Sequence, residues 1–250
     1  MTDRPMHTVP GLFDRLVQIY AAGEKAANEG RFADAVALFD EGLGLDDEFR
    51  QRYVTMYAQR GFAKQRLGDH AGAIGDLTRA IELEPEMHQA QYYFHRAMSF
   101  RALAGHEEHA LADFGRSIAL YPDHPGPFHL RGKLFVDLGR HAEAIADFDR
   151  FSAIAGPHPE VCQLRGYSKL ELRLGREAIP DLFESKRLRP DTYTDYLLAW
   201  AGAIAPDDEL FYQAMEAVLR ADPGYRQYFV DNDDYRRFYD SPRFKAITGT

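Results

Sequence analysis

Three kinds of residue recur in register along this 250-residue chain, and that recurrence constrains its fold more than any other feature. A small residue stands at Gly23, Gly61, Ala97, Gly132 and Gly166. An alanine follows at Ala35, Ala73, Ala110, Ala144 and Ala178, and a bulky apolar residue at Phe39, Leu77, Phe114, Phe148 and Leu182. Successive copies lie 34 to 38 residues apart, the period of a helix–turn–helix array. Apolar residues at three- and four-residue spacing around these columns define helical stripes, so the fold class is all-α. Glycine inside a helix costs about 1 kcal/mol relative to alanine, so its recurrence needs a packing reason. The expected one is that the missing side chain lets the partner helix approach through its own alanine, while the Phe or Leu fills the gap between neighbouring pairs. Leu67-Gly68 and Leu138-Gly139 mark turns between helices, and Pro85, Pro122 and Pro190 stop the second helices.

Departures from the period carry their own expectations. The third copy has one extra turn residue within 104–109, and extra residues separate the first two copies around Asp46 to Arg52. The fifth places Leu174-Gly175 late and Pro180 early in its second helix, which predicts a longer first helix and a second that starts late. Beyond Pro190, Thr192 to Ala203 and Asp207 to Ala221 read as a divergent sixth helix pair. The organisation expected is a flexible N-terminus over 1–11, five repeats over 12–190, the sixth pair over 191–223, and a closing segment over 224–250. In that segment Ser241-Pro242 signals a helix N-terminus. The segment is expected to cover the last exposed apolar face, as the ends of helical arrays require.

The pairing of Arg-Gly in the first helix with Ala-Ile-x-Asp-Phe in the second resembles the tetratricopeptide repeat in its common bacterial form, over about residues 16 to 190. The tail ending Asp240-Ser-Pro-Arg-Phe244 resembles the acidic Pro-Arg-Phe segment that closes many such arrays. The resemblance implies a right-handed α-solenoid whose first helices line a concave groove for another polypeptide. Carried over column by column, the groove would be lined by Tyr20, Glu24, Ala58, Phe62, Gln65, Phe94, Met98 and Arg101. His129, Lys133, Val136, Gln163, Tyr167 and Leu170 continue it. The aromatic side chains would anchor a partner, with Arg101, His129 and Lys133 holding its polar groups. Members of the family that grip a chaperone's terminal carboxylate use Lys and Asn where this chain has Tyr20 and Glu24, which argues against that ligand. The function expected is a protein-interaction adaptor. The alternatives are a self-associating scaffold, with the chain a possible homo-oligomer, and a small-ligand sensor built on His95, His129 and nearby rings.

Charge and motifs narrow the remaining classes. A net charge of −9 repels phosphate backbones, so nucleic acid is not the expected partner. No apolar run is long enough to span a membrane. The N-terminal residues lack a secretory pattern and Cys162 is the single cysteine, so a cytoplasmic location is expected. No catalytic motif is present, and neither a metal nor a cofactor is expected. His106-Glu-Glu-His109 lacks zinc-protease spacing and is expected on a solvated turn. Asp231-Asn-Asp-Asp234 lacks the glycine and closing glutamate of a calcium loop. Cys162 falls in a core column, as a packed thiol.

Overall fold

A computed structural model describes residues 11–45, 53–85 and 89–250. The expected flexible N-terminus up to residue 10 and the insertion around 46–52 lie outside the described residues. The chain divides into two compact units, at Pro122 and Asp123. The first holds α1 (Leu12–Asn28), α2 (Phe32–Gly44), α3 (Val54–Arg66), α4 (His70–Leu83), α5 (Ala90–Arg101) and α6 (Glu107–Leu120). The second holds α7 (Pro125–Asp137), α8 (His141–Ala155), α9 (Pro159–Glu171), α10 (Gly175–Leu188), α11 (Thr192–Ile204) and α12 (Asp208–Ala221), then short elements including α13 (Arg226–Val230) and α14 (Pro242–Thr248). Consecutive helices pack as pairs, and within each unit each pair packs on the next. Among the described residues no strand occurs, and no helix is long and apolar enough to cross a membrane.

The recurring columns meet at the centre of each pair, in a way that corrects the packing expected from sequence. The glycine makes room for the bulky residue of its own pair and not for the alanine of the second helix. A Cβ on Gly23 would lie 2.6 Å from the Phe39 ring, and one on Gly132 would lie 2.7 Å from the Phe148 ring. Gly61 and Gly166 stand against Leu77 and Leu182 at 2.9 and 2.7 Å. Each of these rings and leucines is fully buried, as are the column alanines. The sixth pair keeps the column spacing but not the contact. Gly202 faces the backbone of Phe211 at 2.7 Å, and Ala214 and Val218 are buried in the matching places.

The fifth pair also departs from expectation. Helices α9 and α10 hold 13 and 14 residues, and α10 begins three residues before Ala178, as α4 begins three before Ala73. The turn is in register because Arg173, with φ 62°, takes the left-handed place held by Gly30, Gly68, Gly105 and Gly139 in the other pairs. The Leu-Gly of the turn therefore corresponds to Leu172-Arg173, while Gly175 packs against Ile204. Left-handed backbone is costly for a residue with a Cβ. Arg173 is tied down by an ion pair to Asp234 at 2.6 Å.

The C-terminal segment lies on α11 and α12. Phe238 stacks on Phe211 at 3.8 Å between centroids, and Phe229, Tyr235 and Phe244 join the same buried cluster. The indole of Trp200 donates to Asp234 at 2.6 Å. Helix α14 starts at Pro242 as expected, but Ser241 does not cap it: its hydroxyl pairs with that of Tyr212 at 2.7 Å.

The close approach at the glycine column has a measurable consequence. Gly132→Leu should lower stability in urea unfolding by about 1–3 kcal/mol or more through overpacking. Gly75→Ala, at a helical glycine with nothing near its absent side chain, should gain up to ~1 kcal/mol. Equal midpoints for the two variants would contradict this packing.

Candidate functional site

The strongest recurring polar contact joins the two motifs of the repeat. The arginine before the small residue forms a two-pronged pair with the aspartate before the bulky one. Arg96 Nε and Nη2 donate to Asp113 at 2.6 and 2.9 Å, and Arg131 reaches Asp147 at 2.8 and 2.7 Å. Arg60–Asp76 and Arg165–Asp181 repeat the geometry. The partners are 16 or 17 residues apart in the chain. Three of these arginines also reach the second helix of the preceding pair: Arg60 to Asp40 at 2.5 Å, Arg96 to Thr78 at 3.0 Å, and Arg165 to Asp149 at 2.7 Å. Each of the three thus holds three helices at once. Both halves of the pair stand in the sequence as Arg-Gly and x-Asp-Phe, and their constant spacing is the signal that could have revealed the bond. Burial raises the Asp147 carboxyl above its ordinary pKa despite Arg131. Charging it therefore costs the folded state more than the unfolded, so the pair places helices more than it adds net stability.

Of the fourteen groove residues expected from sequence, twelve are half-buried on the first helices. Ala58 and Leu170, expected beside them, are instead buried in the core. In the first unit, Tyr20 donates to Glu24 at 2.7 Å, and burial with that carboxylate pushes its pKa up to about 12. Phe62 packs on the His95 ring at 4.3 Å. Gln65 donates to the His95 carbonyl at 2.6 Å and the Ser99 hydroxyl at 2.9 Å, and its own oxygen meets His95 Nδ1 at 2.8 Å. Phe94 lies against the His95 and Phe114 rings. Met98 and Arg101 occupy the same helix, α5, one and two turns further on. In the second unit, Lys133 pairs with Glu160 at 2.5 Å. His129 Nε2 stands 3.4 Å from the same carboxylate without hydrogen-bond alignment, and burial lowers its pKa. Gln163 donates to Thr194 at 2.7 Å and to Asp191 at 3.2 Å. Tyr167 lies between the His141 and Trp200 rings, and burial raises its pKa.

Many of the polar members thus bridge one first helix to the next: α3 to α5, α7 to α9, and α9 to α11. The geometry brings Tyr20, Phe62, Gln65, Phe94 and Met98 to the first-helix face of the first unit, and His129, Lys133, Gln163 and Tyr167 to that of the second. His106 and His109 correct another expectation. They stand at the start of α6 and pack on Phe100 at 5.6 and 5.2 Å. Cys162 is buried, which raises its thiol pKa. Among the described residues no group of three His, Cys, Asp or Glu side chains is placed to hold a metal.

Comparison with known proteins agrees with this architecture. Residues 54–87, which hold α3 and α4, match the tetratricopeptide repeat family. A stretch of 113 residues, 44% of this chain, is 31% identical to tetratricopeptide repeat protein 36 of Danio rerio and spans 58% of it. Another of 92 residues, 37% of the chain, is 32% identical to DnaJ homolog subfamily C member 7 of Homo sapiens and spans 18% of that protein. This chain therefore spans less than two thirds of either relative. The crystal structure of the MamA protein superposes with a TM-score of 0.62 at 18% identity, over 70% of this chain and 91% of that one. YrrB, described as a TPR protein with an unusual peptide-binding site, gives 0.60 at 16% identity, over 70% and 87%. At these identities the likeness establishes the fold, an all-α array of helix–turn–helix repeats.

Two measurements follow from these contacts. Asp147→Ala should destabilise by roughly 3 kcal/mol by leaving Arg131 without its partner, and Arg131→Met/Asp147→Leu should regain most of that loss. Additive losses in urea unfolding would contradict a placing role for the pair. Burial lowers the pKa of His95 to about 4. Between pH 6.5 and 4 the unfolded chain therefore binds a proton that the folded one refuses, so stability falls as pH falls through this window. The contribution is roughly 3 kcal/mol. His95→Gln should flatten the slope of stability against pH across that window, and an unchanged slope would contradict it.

Proposed function

We propose that this chain is a protein-interaction scaffold whose first-helix faces bind a polypeptide segment. One observation carries the reading. On the face of the first unit, Tyr20 and Gln65 spend their polar groups on neighbours within the chain, while Phe62, Phe94 and Met98 remain only partly covered. What that face offers a ligand is chiefly ring and thioether surface, and partly covered aromatic surface of this kind marks interaction sites and their hot spots. Arg101 supplies charge on the same helix. The second unit offers Tyr167 among His129, Lys133 and Gln163, which would position a segment's polar groups. The peptide-binding site named for YrrB supports the same use of this fold. The likeness to tail segments ending in Pro-Arg-Phe supports reading 224–250 as a cap on the sixth pair.

Self-association is a second reading, favoured by Phe13 and Val17, which are 65% and 50% exposed one turn apart on α1. A mass that rises with concentration would favour it.

The deciding experiment is selection of peptides from a displayed library, followed by titration against Phe62→Ala/Phe94→Ala and Tyr167→Ala after circular dichroism shows them folded. Selected peptides should bind the variants at least tenfold more weakly. Peptides that bind both variants as well as wild type would overturn the site, and failure to select any would overturn the function.

A further inference from the structure

The C-terminal part of the second unit carries a second exposed aromatic surface, away from the columns discussed above. Four tyrosines cluster there. Tyr193 lies on Tyr196 at 6.3 Å between centroids with nearly parallel rings, Tyr196 meets Tyr225 at 5.8 Å and Tyr228 at 6.3 Å, and Tyr225 meets Tyr228 at 5.5 Å. The inner two are partly buried, but Tyr193 is 43% and Tyr228 62% exposed. Tyr228 lines an open cleft of about 830 Å³ together with Gln227 and the run Asp231 to Asp234.

The charged side chains that act on Tyr193 and Tyr225 are carboxylates. The charged groups acting on the Tyr193 hydroxyl are Glu171 and Asp191, and those acting on Tyr225 are Asp222 and Asp191. In the cleft, Asp234 is held by Arg173 and Trp200, and Asp231 accepts from Gln227. Arg173 is thereby committed, and Asp233 adds a further carboxylate beside Tyr228. Elsewhere the same chain shows what such a setting accepts. Arg243 lies over the Tyr212 ring at 4.5 Å while pairing with Glu209 at 2.7 Å, and Arg140 lies over Phe135 at 4.6 Å while pairing with Glu143. A planar guanidinium satisfies both demands at once, stacking on a ring and donating to a carboxylate in the ring's plane of approach.

We infer that the Tyr193–Tyr228 surface and its adjoining cleft bind an arginine-bearing segment of another polypeptide, with the guanidinium over the exposed Tyr228 ring and hydrogen-bonded to the Asp231–Asp234 run. The site adjoins the second unit's first-helix face, where Tyr167 lies against Trp200 and Trp200 donates to Asp234, but it shares no residue with the face of the first unit, so those two can fail independently. An exposed aromatic surface with complementary charge is the form an interface takes before its partner arrives.

The test uses the full chain and three synthetic peptides of glycine alternating with arginine, lysine or citrulline, titrated by calorimetry at low and moderate salt. The arginine peptide should bind, lysine less well, and citrulline at least tenfold more weakly. Affinity should fall with salt, as ion pairing requires. Tyr228→Ala and Asp233→Asn/Asp231→Asn, both at exposed positions, should each weaken arginine-peptide binding at least fivefold with unchanged circular dichroism. Phe62→Ala/Phe94→Ala should leave it unaltered. Equal binding of the citrulline peptide would overturn the cation assignment. Absence of arginine-peptide binding, or binding unaffected by Tyr228→Ala, would overturn the site.

Discussion

The geometry of the middle four helix pairs depends on one buried ion pair repeated in each. An aspartate taken out of water must be met by matched donors, and only a planar guanidinium offers two parallel ones. Arg60, Arg96, Arg131 and Arg165 meet that demand across the pair. A bond of this kind tolerates little sliding, so it fixes the register of the two helices of a pair. Where the arginine also reaches back to Asp40, Thr78 or Asp149, it fixes the preceding pair too. The corresponding places in the first and sixth pairs hold Ala22 with Leu38 and Ala201 with Ala217. Those two pairs close without this clamp.

The glycine column works with the ion pair. It lets a phenylalanine or leucine of the second helix lie against bare backbone of the first, so the pair closes tightly beside the arginine. Side chains of the first-helix faces are then held by the next pair: Gln65 by His95 and Ser99, Gln163 by Thr194 and Asp191, Lys133 by Glu160. The same residues that shape a surface for a ligand therefore stiffen it, and a surface held in one shape loses less entropy when it binds.

Much of this was legible in the sequence because helix pairing is written in short periods. The columns at Gly132, Ala144 and Phe148 gave the pairs, their turns and their core. What was misread depended on contacts that run across the period. The glycine's neighbour is the ring sixteen residues on, not the alanine twelve residues on, and no local pattern distinguishes the two. The turn at Arg173 is hidden in the sequence because glycine signals left-handed backbone, and here an arginine adopts it, tied by a carboxylate 61 residues later. Of the fourteen residues that the columns assign to the first-helix faces, the structure places twelve half-buried on the first helices. Ala58 and Leu170 were misplaced because a column gives an angle on the helix, not the depth to which neighbours cover it.

The third pair shows what the ion pair permits. Between Arg96 and Asp113 the chain is one residue longer than in the other three pairs, yet the bond is made with the same two prongs. The surplus is absorbed at the turn near Gly105, outside the clamp. Drift in length is thus neutral at turns, where nothing measures it, and harmful inside helices, where the arginine would miss its aspartate. A gene encoding such a chain can gain or lose whole helix pairs by unequal recombination, because each inserted copy brings its own clamp. Point insertions within a helix have no such remedy.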